Sequence, residues 1–273
     1  MQGRILVPTD LSNESNSVFP LALTIAQAFP NKLYLLHVMD PDSINEPERL
    51  EDFPLFDKFF AKDRETGFSP PLAPTVPSSK IYLYNSDVAH VVLSVAKAKH
   101  AELICLSAIR PGTDFAWWSA GKIVETIIEK APCSVLCVRG RDQRPEQWQR
   151  PQFRHLLLLT ELTPGGAVSL AKVIPWVHRF NAMLHVFPLG DLQAPAEQAS
   201  LSSLYQQNCD STDILMFKEP RQRTENLRQF IANTQVDLIL MTPRVRVRFS
   251  NRLFNDIFVQ LLRTTNVPIL LLR

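Results

Sequence analysis

An apolar run closed by threonine, an acid, leucine and a hydroxyl residue occurs twice in this chain. It reads Ile5-Leu6-Val7-Pro8-Thr9-Asp10-Leu11-Ser12 near the start and Leu156-Leu157-Leu158-Leu159-Thr160-Glu161-Leu162-Thr163 past the middle. Three further matches follow in the same order. Leu36-His37-Val38 recurs as Leu184-His185-Val186, and Glu102-Leu103-Ile104 as Asp237-Leu238-Ile239. Each half then closes on an apolar strand, Ser134-Val135-Leu136-Cys137-Val138 and Pro268-Ile269-Leu270-Leu271-Leu272. Ordered self-similarity at this spacing predicts two copies of one domain. The 273 residues suit two domains of ordinary size. The expected boundaries are a first domain over 1–138 with a long insertion at 42–79, a linker at 139–151 and a second domain over 152–273. The linker is polar and charged, with Trp148 its one large aromatic.

Within each half, strand-like runs alternate with helical spacing. Val18, Leu21, Ala22, Ile25 and Phe29 follow the first strand, with Ser12 or Asn13 as the cap, and Leu170, Val173, Ile174 and Val177 answer them in the second half. Val88, Val91, Val92 and Val95 correspond to Leu227, Phe230 and Ile231. Ile123, Val124, Ile127 and Ile128 correspond to Ile257, Phe258, Leu261 and Leu262. The strands are continuously apolar, as in parallel sheets covered on both faces. The predicted fold is α/β: two Rossmann-like, doubly wound domains, each with a five-stranded parallel sheet. The segment 42–79 breaks the pattern. It is rich in proline and charge, and Phe53, Leu55, Phe56, Phe59 and Phe60 predict a short amphipathic helix covering the sheet, a cleft or a partner surface.

Composition excludes several function classes. A net charge of +2 gives no footprint for nucleic acid, and no segment has the roughly 20 apolar residues of a membrane span. The N-terminus carries no apolar signal run, so the expected location is cytoplasmic. Of the four cysteines, Cys105, Cys133 and Cys137 fall in apolar strands as free thiols, and Cys209 falls in a polar loop. No Walker A loop, CxxC, HExxH or GxSxG is present. His37 and His185, at matching places, predict a shared structural hydrogen bond.

Ligands of open parallel sheets bind at the carboxyl ends of the strands, where strand order reverses. In the first half that edge holds Pro8, Thr9, Asp10, Val38 and the loop from Ser107 to Lys122. In the second it holds Thr160, Glu161 and Val186. The Val-Pro-Thr-Asp-Leu-Ser strand end, the Leu-His-Val strand, Glu-Leu-Ile-Cys-Leu and Ala131-Pro132-Cys133-Ser134-Val135-Leu136 together resemble the universal stress protein family, whose fold is adenine nucleotide alpha hydrolase-like. The likeness runs over nearly the whole chain, twice. It implies a stress-response or regulatory protein, and two such domains pairing through their last strands as a pseudo-dimer within the chain. A homodimer, or an unidentified protein or small-molecule partner, is also open. ATP-binding members carry Gly-x2-Gly-x9-Gly-Ser/Thr after the fourth strand, where glycines let the backbone approach phosphate.

Here that loop is altered. The second half reads Thr242, Val245, Asn255 and Asp256, with no glycine and an acid at the hydroxyl position. The first half keeps Gly121, followed by Lys122. Ser107 stands at the first glycine position, Arg110 or Pro111 at the second, and Gly112 is adjacent. Trp117-Trp118 lies within this loop. The candidate cofactor-binding residues are therefore Pro8, Thr9, Asp10, Val38, Ser107, Gly112, Gly121 and Lys122. No cofactor is expected in the second domain, and ATP, if bound, only in the first. The reading is a non-enzymatic regulatory protein with degenerate nucleotide sites. The alternatives are a weak ATP binder or ATPase using the first cleft, and an RNA- or lipid-associated factor using Arg244, Arg246 and Arg248 or the Phe-rich insertion.

Overall fold

A computed structural model describes residues 3–10, 12–39, 76–108, 122–139, 151–160, 166–189, 203, 212–214, 223–242, 257–258, 260–262 and 264–273. The chain divides into two compact units, Met1–Pro151 and Gln152–Arg273. The insertion at 42–75, the linker at 140–150, Trp117, Trp118, Cys209, Glu161, the Arg244–Arg248 run, Asn255 and Asp256 lie outside the described residues.

In the first unit the elements are β1 (Gly3–Thr9), α1 (Asn13–Asn16), α2 (Phe19–Ala28), β2 (Asn31–Met39), β3 (Ser78–Tyr84), α3 (Val88–Ala98), β4 (Leu103–Ser107), α4 (Lys122–Lys130) and β5 (Ser134–Val138). All strand pairings are parallel. β2 pairs with β3 from Leu33↔Ser78 to Met39↔Tyr84 and with β1 from Gly3↔Asn31 to Thr9↔His37. β1 also pairs with β4 at Ile5↔Leu103, and β4 with β5 from Leu103↔Ser134 to Ser107↔Val138. The strand order is therefore β3-β2-β1-β4-β5, and it reverses at β1. Ile5, Leu6, Val7, Ile104, Val135 and Leu136 are wholly buried, because successive side chains alternate between faces and both faces are covered. The edge strand β3 is the exception, with Leu83 and Tyr84 exposed.

The helix expected from the Val18–Phe29 spacing is α2, but the cap expected for it at Ser12 or Asn13 belongs to a separate single turn, α1. Ser12 caps α1, its Oγ accepting from Ser15 N at 3.1 Å. Pro20 has no amide hydrogen and so belongs in a first turn, which is where α2 begins. Val18, Ala22 and Ile25 are buried as their spacing predicts. In α3, Asp87 Oδ1 caps by accepting from His90 N at 2.9 Å, while Val91, Val92 and Val95 face inward.

The second unit holds β6 (His155–Thr160), α5 (Gly166–Phe180), β7 (Met183–Pro188), β8 (Thr212–Ile214), α6 (Arg223–Thr234), β9 (Leu238–Met241) and β10 (Ile269–Leu271). Its parallel pairings give the order β8-β7-β6-β9-β10. Registers in the two units can be compared pair by pair. Leu6 faces Ile104, as Leu157 faces Ile239, and Ile104 faces Val135, as Ile239 faces Ile269. Helix ends repeat too. His100 and Gln235, after α3 and α6, both take left-handed backbone at φ 50° and 52°, and the next residue in each returns an amide to the helix (Ala101 to Ala96, Val236 to Ile231).

One expected repeat is corrected. Thr9 pairs with His37, whereas Thr160 pairs with Pro188. The register counterpart of His37 is thus Pro188, that of Val38 is Leu189, and His185 corresponds to Tyr34. The Leu-His-Val echo is displaced by three residues, and an odd displacement turns side chains to opposite faces. His37 Nδ1 donates to the Thr9 carbonyl at 2.8 Å. His185 instead shares a 3.2 Å hydrogen bond with His155 and meets the Phe230 ring edge. The two histidines do different work.

Candidate functional site

In the first unit a cavity of about 160 Å³ opens at the carboxyl ends of β1, β2 and β4. Its location follows from topology. β1 sends its crossover to one side and β4 takes its crossover from the other, leaving a crevice at the reversal. Pro8, Thr9 and Asp10 come from β1 and its exit, Leu36 and Val38 from β2, and Leu106, Ser107 and Ala108 from β4. Val88 and Val92 of α3, and Ile123, Val124 and Ile127 of α4, close the apolar walls. The size matches an engineered cavity of roughly 150 Å³ that admits benzene, about one ring.

The polar side of the crevice is a hydrogen-bonded turn built from consecutive small residues. Asp10 N donates to Ser15 Oγ at 3.2 Å, Ser15 Oγ donates to Thr9 Oγ1 at 2.9 Å, and Thr9 Oγ1 donates to Asn16 Oδ1 at 2.7 Å. Thr9 and Asn16 are buried, so this chain satisfies groups that would otherwise be costly to desolvate. Asp10 is exposed. Its Oδ1 accepts from both Ser12 N at 3.0 Å and Ser12 Oγ at 2.6 Å, which fixes the carboxylate at the mouth. Ser107 differs from the other hydroxyls, since its Oγ is shielded from solvent and has no hydrogen-bond partner among the described residues.

Of the residues expected at the site, Pro8, Thr9, Asp10, Val38 and Ser107 line this one cavity. Gly112 and Gly121 lie outside the described residues. Lys122 opens α4, with its side chain outside them. Sequence reasoning missed Ser15, whose signal was its place in the cap of α1. It also treated Val88, Ile123 and Val124 as core, although all three are half-buried and line the crevice.

The corresponding positions of the second unit carry larger or equal side chains. Thr160, Phe187, Leu189, Met241 and Thr242 stand where the first unit has Thr9, Leu36, Val38, Leu106 and Ser107, and all five are at most 9% exposed.

A parallel, doubly wound α/β unit with a cleft at its switch point is the architecture of the first unit. The universal stress protein family model matches residues 1–139, and the chain belongs to that family. Among solved structures, a universal stress protein from Archaeoglobus fulgidus DSM 4304 is similar at 13% identity, covering 99% of this chain and 96% of its own, with a TM-score of 0.68. A functionally unknown protein from Pseudomonas aeruginosa PAO1 aligns at 15% identity over 98% of this chain and 92% of its own, with a TM-score of 0.64. Likeness at these identities establishes the α/β fold. No curated protein matches the sequence. No described helix is long and apolar enough to cross a membrane.

Proposed function

We propose that the chain is a tandem universal stress protein, with domains at 1–138 and 152–273, that acts as a non-enzymatic regulatory protein sensing a small molecule in its first domain. The observation that carries this reading is the asymmetry of matched positions. Val38 borders an open crevice, while its register mate Leu189 is 3% exposed and is flanked by Phe187 at 1%. Replacing Val by Leu and Leu by Phe adds volume where a ligand would sit. The second domain therefore serves as a scaffold and the first keeps the site.

The chemistry of the crevice favours binding over turnover. Its Thr9 and Ser15 hydroxyls are spent on one another and on Asn16, and Asp10 is held by Ser12. Catalysis of phosphoryl transfer works by clamping phosphate oxygens with preorganised donors. The first-half loop offers Ser107 and Pro111 where backbone amides and glycines would have to approach. The test is phosphate release from magnesium-ATP by the full chain. The expected result is a rate equal to the blank. Sustained turnover that Asp10→Ala abolishes would establish an ATPase in its place.

A further inference from the structure

We propose that the amino ends of β1 and β2 in the first unit form an anion site that takes a short phosphate chain, at the opposite end of the strands from the crevice. Register builds it. Arg4 of β1 pairs with Lys32 of β2, so both side chains leave the sheet on one face, and Tyr34, two residues along β2, shares that face. Lys99, just past α3, comes to the same ring. Its Nζ lies 5.6 Å from the Tyr34 ring centroid, and that of Lys32 lies 5.1 Å from it. Arg4 Nη1 donates to the Lys99 carbonyl at 2.6 Å, which ties the guanidinium to the backbone that carries Lys99.

These cations gather without a counter-charge. Among the described residues no carboxylate comes within ion-pair distance of Arg4, Lys32 or Lys99. Glu102, the residue before β4, holds its carboxylate against Gly3 instead. The C-terminal end of α3 adds about half a negative charge at most. Like charges on neighbouring strands repel, and the tyrosine face offsets only about 0.5–1 kcal/mol for each lysine. The fold does not require the cluster. In the second unit His155, Met183, His185 and Thr234 stand where the first has Arg4, Lys32, Tyr34 and Lys99, and the two histidines hydrogen-bond each other at 3.2 Å. A cluster that the fold can do without, and that costs repulsion while empty, is accounted for by an anion that relieves it. Neutralising all of it takes several negative charges within reach of one ring. A chain of phosphates supplies them, on oxygens that both guanidinium and ammonium groups bind.

The experiment is a calorimetric titration of the full chain with inorganic tripolyphosphate, orthophosphate and hexaglutamate at matched ionic strength. It is repeated on Lys32→Met, Lys99→Thr, the double variant and Val38→Phe. The first two match what the second unit carries at these places, so the fold should tolerate them, and Val38→Phe fills the crevice. Tripolyphosphate is expected to bind at a single site, and more tightly than orthophosphate or hexaglutamate. Each lysine variant should weaken it about tenfold and the double variant further, while Val38→Phe binds as the parent chain does. Without ligand, added salt should raise the melting temperature of the parent chain more than that of the double variant, because it screens repulsion that only the parent has. Binding kept in the double variant but lost in Val38→Phe would move the phosphates to the crevice and overturn the site. Hexaglutamate binding as tightly as tripolyphosphate would overturn the phosphate chain as its occupant. No binding, or equal salt effects on the two chains, would overturn the proposal outright.

Discussion

Two hydroxyls on the rim of one crevice should respond to deletion with opposite signs. Ser107 Oγ is buried and has no partner among the described residues, whereas Thr9 Oγ1, in a residue 6% exposed, accepts from Ser15 and donates to Asn16. A buried polar group left unsatisfied costs about 1–3 kcal/mol. Ser107→Ala removes the group together with that penalty and loses no bond, so stability should rise by about 1 kcal/mol. Thr9→Val keeps the shape and deletes both bonds of Thr9 Oγ1, one of them to the buried Asn16, so stability should fall by roughly 1–3 kcal/mol. For a unit of this size, 1 kcal/mol moves the melting temperature by about 2–4 °C. Scanning calorimetry of the full chain, following the transition that carries the first unit, reads both. A loss of stability in Ser107→Ala would mean its hydroxyl is satisfied in solution. A neutral Thr9→Val would mean the turn does not hold the crevice.

Burial pushes the thiols of Cys105 and Cys137 well above their ordinary range, the Cys105 thiol further through Cys137 and Cys133. Raised acid pKa values mean the folded state keeps protons that the unfolded chain releases. Stability should therefore be full below about pH 8.5 and fall above it, by about 1.4 kcal/mol per pH unit for each thiol, in urea titrations between pH 8 and 10.5. Asp87→Ala removes the cap of α3 and should cost about 0.5–2 kcal/mol, with Asp87→Asn nearly neutral. His100→Gly and Gln235→Gly relieve two of the exposed left-handed residues and should each add up to about 1 kcal/mol in chemical denaturation. Leu157→Ala in β6, wholly buried, should cost about 2–5 kcal/mol.

Much of this architecture was legible because it rests on hydrophobic periodicity. Ile5–Val7, Ile104 and Leu156–Leu159 are continuously apolar, and they are buried as such strands must be. The helical spacing at Val91, Val92 and Val95 likewise marks the inward face of α3. Three of the four matched segments take the same register in both units. The fourth misled because three letters in a row carry no register, which the pairing of Thr9 with His37 and Thr160 with Pro188 supplies. The crevice was legible at Asp10 and Val38, since strand ends at a switch point are fixed by topology. Its walls were not. Val88, Ile123 and Val124 satisfy a core pattern whether the space beside them is filled or open, and that depends on volumes across strands far apart in sequence.

The claim that the two domains share a fold but divide into one open and one filled cleft is tested most directly by diffraction from full-chain crystals soaked with ring-sized fragments, cationic and neutral. Fragment density is expected in the first unit, between Asp10, Val38 and Ser107, with the corresponding space beside Thr160, Leu189 and Thr242 taken up by side chains. Density in the second unit alone, or side chains filling the first-unit crevice as well, would contradict it.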